Sequence, residues 1–236
     1  MALNIKNQEE SWSPDLFHSV GSGTIVWRQI PEGILVKTEE SERRTRGEPV
    51  TLRKIVSSYG REIDYASAIS SVPKQLIAGV IAAESHGNPV AERREAHLND
   101  WSIGLTQIIT ATAQSLAAND MLWIGPLNLE EIASMKPIPR GGDLGRWRSL
   151  LGDPRNAISL AAVYLRLAND LFKLKFDPVL CYAAYNAGSP RDSTITPWGV
   201  HYYRITKARG PGVVEVVADA MDSFVKWYGD ACDVYN

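Results

Sequence analysis

The sequence predicts an α+β fold that is mostly helical, with a small β-hairpin near its N-terminus. Three observations carry this expectation. Apolar residues recur at i, i+3, i+4 and i+7 through most of the chain after residue 49. Asp153-Pro154 and Asp177-Pro178 are helix starts, with Asp as N-cap and Pro at the first helical position. One early stretch, Gly23 to Thr38, carries two β-rich runs, TIVWRQI and ILVKT, around the turn signal Pro31-Glu32-Gly33.

Residues 1 to about 22 are polar and without periodicity, and read as a loosely packed arm. The hairpin follows. Glu39 to Glu48, EESERRTRGE, reads as a solvated, charge-dense connector. Arm, hairpin and connector form an N-terminal appendage, residues 1–48, ahead of a main domain, residues 49–236. A lone hairpin is rarely stable unaided, so it is expected to pack on that domain.

Pro49 to Tyr59 has Leu52, Ile55 and Val56 at helical spacing, with Gly60 as a stop. Glu62 to Ser70 reads as a second helix. Pro73 then opens a third, Leu76 to Glu84, which Gly87, Asn88 and Pro89 end. Ile77, Val80, Ile81 and Glu84 share one face, so the face that buries the apolar residues points Glu84 inward. A charged loop with a small β element between Arg94 and Trp101 leads to Gly104-Leu105-Thr106-Gln107. Thr110 to Ala118 is the next expected helix, and Asn128 to Met135 a short one.

Lys136 to Gly145, KPIPRGGDLG, reads as a loop and a candidate cleft rim. The helix from Pro154 carries the stripe Ile158, Ala161, Ala162, Leu165 and Ala168; the one from Pro178 ends at Gly188. Pro197 to about Ala208 and Val213 to Tyr228 read as two last helices, divided by Gly210-Pro211-Gly212.

Composition narrows the function. A net charge of −2 without a Lys/Arg run gives no case for nucleic acid. No window reaches the ~18 apolar residues of a membrane span. The four histidines are scattered, which gives no metal-ligand spacing, and no cofactor is implied. Cys181 lies in an apolar helical run and reads as a small buried hydrophobe. Whether it pairs with Cys232 is not readable from spacing.

A carboxylate at the end of an apolar stripe is an unusual choice. Desolvation disfavours its charged form, and a raised pKa is what a general acid at neutral pH needs. A helix-terminal Glu paired with Arg93 or Arg94 produces the same pattern.

Three motifs separate these readings. Glu84-Ser85, Gly104-Leu105-Thr106-Gln107-Ile108 and Ala183-Ala184-Tyr185-Asn186-Ala187-Gly188 resemble, in order, the ES, GLMQ and AYNAG motifs of the soluble lytic transglycosylase and goose-type lysozyme superfamily. The resemblance runs from about Pro73 to about Gly188. It implies a lysozyme-like fold with a substrate groove. It also implies cleavage of the β-1,4 bond between N-acetylmuramic acid and N-acetylglucosamine in peptidoglycan glycan strands.

The resemblance further implies that Glu84 protonates the glycosidic oxygen and then, as base, takes the muramic C6 hydroxyl proton to close a 1,6-anhydro ring. The substrate's N-acetyl group can stabilise the sugar cation, so no protein nucleophile is needed. Ser85, Gln107, Tyr185 and Asn186 are then expected to contact substrate. Trp101, in the loop before Gln107, is a candidate sugar-stacking platform; Trp123, Trp147 and Trp198 are more ordinary packing residues. Thr106 stands where the family usually has Met, and the exchange is expected to widen a subsite or change lactyl recognition.

Two alternatives stand beside this reading. Glu84-Ser85-His86 is similar to the goose-type branch, which hydrolyses the bond. Inverting hydrolysis needs a second carboxylate to activate water, for which Asp100 is the first candidate, then Glu95 or Glu92. That branch tends to carry an Asp shortly after its second motif, where this chain has Ile108-Ile109, so transglycosylation is favoured. A non-catalytic wall-binding or tail module is the third reading, which the retained Glu84 disfavours. The opening MALNIKNQEESWSPDL lacks a basic stretch followed by an apolar run. A protein made in the bacterial cytoplasm is expected, acting on the wall beyond the membrane. It would be a phage lysin that depends on a holin pore, a virion component or a secreted effector.

Overall fold

The structure is a computed structural model. It describes residues 17–20, 26–30, 33–37, 42–44, 49–118, 128–188, 192–195, 200–204, 224 and 227–235. In chain order come β1 (Phe17–Val20), β2 (Val26–Ile30), β3 (Gly33–Lys37), β4 (Glu42–Arg44), α1 (Val50–Ser70) and α2 (Lys74–Ser85). Next are β5 (Glu92–Glu95), β6 (Asp100–Ile103), β7 (Ile108–Ile109), α3 (Thr110–Ala117), α4 (Leu129–Ser134) and a 3-10 turn (Ile138–Arg140). Then follow α5 (Leu144–Leu151), α6 (Pro154–Phe172), α7 (Pro178–Ala187), β8 (Asp192–Ile195) and β9 (Val200–Arg204), with helix again over 227–235. The fold is α+β and mostly helical. It forms two compact units, one of residues 50–166 and one of residues 1–49 with 167–236.

In the first unit, α1 and α2 pack together and β5–β6–β7 form an antiparallel sheet. The expected break at Gly60 is absent: α1 is one helix of 21 residues. A mid-helix Gly costs about 1 kcal/mol relative to Ala. Burial of Leu52, Ile55, Ile63 and Ala66 on both sides of Gly60 outweighs that cost. Helix α2 is less amphipathic than its spacing suggested, since Leu76 to Ala82 are all buried. A helix covered on most of its circumference lies inside the unit. It ends at Ser85, two residues before Gly87. His86 takes the left-handed conformation, φ 54°, and its N–H bonds the carbonyl of Ala82.

The Lys136–Gly145 stretch is not all loop. It contains the 3-10 turn, and α5 begins at Leu144. The missed signal was Asp143, whose side chain accepts from the N–H groups of Gly145 and Arg146. Trp147, Leu150 and Leu151 of α5 are buried, and the Trp147 indole donates to the Lys136 carbonyl at 2.9 Å. Both Asp-Pro starts behave as expected. Asp153 accepts from Arg155 N–H and Asp177 from Leu180 N–H, while Gly188 closes α7 at φ +76°.

In the second unit the predicted hairpin is present, with β2 and β3 antiparallel from Val26↔Lys37 to Ile30↔Gly33. It belongs to a six-stranded sheet of order β4-β3-β2-β1-β9-β8. This corrects three expectations. Phe17–Val20 of the supposed arm is a strand, and so is Glu42–Arg44 of the supposed connector. Val200–Arg204, read as helix, is strand β9, parallel to β1 and antiparallel to β8. The β-branched and aromatic residues of VHYYR suit a strand once partners exist on both edges. Most of the helix expected over Val213–Tyr228 lies outside the described residues, as do Trp123 and Trp198. Among the described residues no helix is long and apolar enough to cross a membrane.

Candidate active site

The first two motifs meet in the 50–166 unit. Glu84 is half-buried in the last turn of α2, where the buried helix behind it fixes its backbone. Ser85 is buried, and its hydroxyl lies 2.7 Å from the Leu105 carbonyl and 3.2 Å from that of Ile81. The Gly87 N–H donates to the same Oγ at 3.2 Å. A hydroxyl has one proton, and the shorter contact ties the acid's helix to the second motif. Ser85 thus cross-links the two motifs through backbone rather than presenting its hydroxyl to solvent.

The second motif is a turn with little freedom. Gly104 sits at φ +77°, and a Cβ there would stand 2.1 Å from the Leu151 carbonyl oxygen. Its N–H bonds the Ala91 carbonyl at 2.8 Å. Gln107 is also left-handed, at φ 50°, an uncommon state for a residue with a side chain. Its amide nitrogen donates to the carbonyls of Ala91, 3.0 Å, and Gly104, 2.9 Å. Those bonds use both amide hydrogens, so any further contact of this side chain falls to its Oε1 acceptor.

Asp100 does not fit the part of a second catalytic carboxylate. It is fully buried. Its Oδ1 accepts from Trp101 N–H at 2.7 Å and from the Thr110 hydroxyl at 2.5 Å. Its Oδ2 accepts from Ala111 N–H at 3.0 Å. A carboxylate so enclosed and so bonded has no face for an attacking water. It caps α3 from a neighbouring strand, supplying an acceptor to an N-terminal N–H that the helix cannot satisfy itself. Thr106 is held by the fold as well. It is fully buried, with its hydroxyl 3.2 Å from the Ala157 carbonyl of α6. The polar residue in place of Met is thus held against α6.

The other two carboxylates are held as well. Glu92 makes a two-pronged pair with Arg148, at 2.6 and 2.7 Å. The Arg148 hydrogen bond holds its carboxyl below the usual range. Sequence reading passed over Arg148, which lies in the unpredicted α5. Its guanidinium also stands 5.8 Å from the Trp101 ring centroid. Trp101 is half-buried under that cation, which leaves it at most one face for a sugar.

Glu95 accepts from Arg93 and from Ser102, both at 2.8 Å. Burial alone would raise its pKa, but the Ser102 and Arg93 hydrogen bonds outweigh it, and the carboxyl sits below 4.5. A folded-state value below the unfolded one stabilises the fold above pH 4.5 and loses that contribution as pH falls through the folded value. Thermal melts between about pH 3 and 6 are therefore expected to show a shallower acid limb for Glu95→Gln than for the wild type; parallel curves would contradict this assignment.

Tyr185 and Asn186 belong to the other unit, on α7. Tyr185 is buried and Asn186, in the last turn, is exposed. Within that unit Tyr182 stacks on Phe224, with ring centroids 4.2 Å apart. Cys181 and Cys232 are both buried and are not joined in a disulfide. Burial, with the Asp177 carboxylate nearby, pushes the Cys181 thiol well up, so it behaves as a small hydrophobe.

Comparison with known proteins follows the same residues. No curated protein matches the chain. The family model of the transglycosylase SLT domain matches residues 61–195, from within α1 to the end of β8. That span covers all three motifs and more than half of the chain, and the protein belongs to the transglycosylase SLT domain family, a lytic-transglycosylase type that acts on peptidoglycan.

Proposed function

We propose that the protein cleaves the N-acetylmuramic acid–β-1,4–N-acetylglucosamine bond of peptidoglycan and leaves a 1,6-anhydro end, with Glu84 as the single acid and base. One observation favours this over hydrolysis. Asp100, Glu95 and Glu92, the candidate bases for water, are each committed to protein donors that hold the fold. Glu84 lies at the end of a buried helix that Ser85 joins to the Gln107 turn.

In this reading the Glu84 carboxyl gives its proton to the glycosidic oxygen as the C1–O bond breaks. The departing sugar leaves as a neutral alcohol, and the substrate's N-acetyl oxygen supports the positive C1. The Glu84 carboxylate then takes the C6 hydroxyl proton while that oxygen bonds C1, which restores the acid. Gln107 orients a sugar donor through Oε1. Tyr185 and Asn186 take substrate contacts by the family pattern. No cofactor enters the cycle.

Mass spectrometry of products from purified peptidoglycan tests the reaction. Fragments about 18 Da lighter than hydrolytic muropeptides are expected, because ring closure replaces addition of water. Reducing-end fragments would replace the proposal with a lysozyme-type hydrolysis. Wall binding by folded protein with no released fragment would favour the non-catalytic module.

A further inference from the structure

Asp100, enclosed by its own hydrogen bonds, sits at a junction of the site. Asp100 lies on β6, immediately before the second motif, and bonds Thr110 and Ala111, immediately after it. Outside the ladder pairs Ser102↔Ile109 and Ile103↔Ile108, one buried side chain therefore braces the base of the turn that carries Gly104 and Gln107. Thr110 extends the link: its hydroxyl donates to Asp100 and accepts from the Ile138 N–H at 2.9 Å. Ile138 opens the 3-10 turn of the Lys136–Gly145 stretch. The turn needs such a base. Gln107 is held left-handed, a state that the chain leaves readily unless its neighbours are fixed.

We infer that Asp100, with Thr110, is a positioning residue for Gln107: its three accepted hydrogen bonds set the turn that aims the Gln107 Oε1 at substrate. The inference rests on the reading that Gln107 touches the glycan. Loss of either partner leaves the ladder pairs and the Gln107 amide bonds in place but shifts the turn as a unit, so Oε1 moves from its sugar partner. The cost falls on substrate binding and spares the acid.

The test uses the full chain with solubilised peptidoglycan, and compares Asp100→Asn, Thr110→Val, Gln107→Ala and the two doubles with Gln107→Ala. Melting temperatures are measured beside KM and kcat. Each single change is expected to raise KM about tenfold, with kcat within about twofold of the wild type. The doubles are expected to be no worse than Gln107→Ala, since residues that act through one contact are not additive. Doubles whose KM effects multiply to about a hundredfold would make Asp100 and Thr110 structural only and overturn the inference. If Asp100→Asn does not fold, Thr110→Val carries the test, because it removes one hydroxyl at nearly constant volume. A folded Thr110→Val with wild-type KM overturns the inference as well. Gln107→Ala with unchanged KM would instead remove the substrate role of Gln107, and that single variant tells the two failures apart.

Discussion

Glu84→Gln is expected to reduce kcat on peptidoglycan by about 10³- to 10⁴-fold, the upper range for loss of a general acid–base. The size follows from the double use of one carboxyl. Gln keeps the shape but can neither protonate the glycosidic oxygen nor accept the C6 hydroxyl proton. Folding and wall binding should persist, because Glu84 is half-buried at a helix end whose packing is carried by Leu76 to Ala82. The measurement is muropeptide release against time, with circular dichroism and wall pull-down on the same preparation. Residual activity above about a tenth of wild type would remove Glu84 from the chemistry. Asp100→Asn is the informative companion. If Asp100 positions and does not react, its loss appears in KM. A kcat loss equal to that of Glu84→Gln would restore Asp100 as a base and hydrolysis as the reaction.

Gly104→Ala is expected to be the most destabilising single change in the second motif. A left-handed Ala costs about 1–2 kcal/mol. The added methyl would also stand 2.1 Å from the Leu151 carbonyl oxygen, which is backbone and cannot rotate away. Together these predict a loss of about 4 kcal/mol, or a fall in Tm of about 8–16 °C for a chain of this size. Gly141→Ala is the control. It has a similar φ, +82°, but a methyl added there meets nothing within 4 Å, so it carries the conformational cost alone. Differential scanning calorimetry of both variants separates the two contributions. Equal shifts would mean that the close approach of the turn to α5 does not matter.

What the chain announced by itself was local. Asp153 and Asp177 mark helix starts because an N-cap needs only its own next residues. The β2–β3 hairpin follows from two β-rich runs and a short turn. The three motifs marked the family, and Glu84 could be singled out because one face of a short helix ran from apolar residues to a carboxylate.

The partners of the polar side chains were decided in three dimensions. Asp100, Glu92 and Glu95 look alike as letters. Their separate fates come from Thr110 and Ala111, from Arg148, and from Ser102 and Arg93. The helices that carry Thr110, Ala111 and Arg148 approach along paths that no local pattern specifies. The meaning of Thr106 depends on the Ala157 carbonyl, and the need for Gly104 depends on Leu151. Val200–Arg204 became a strand because β1, near the other end of the chain, offers its edge. Periodicity says which face of an element seeks cover, but only packing decides which group covers it, and a buried carboxylate takes its role from that group.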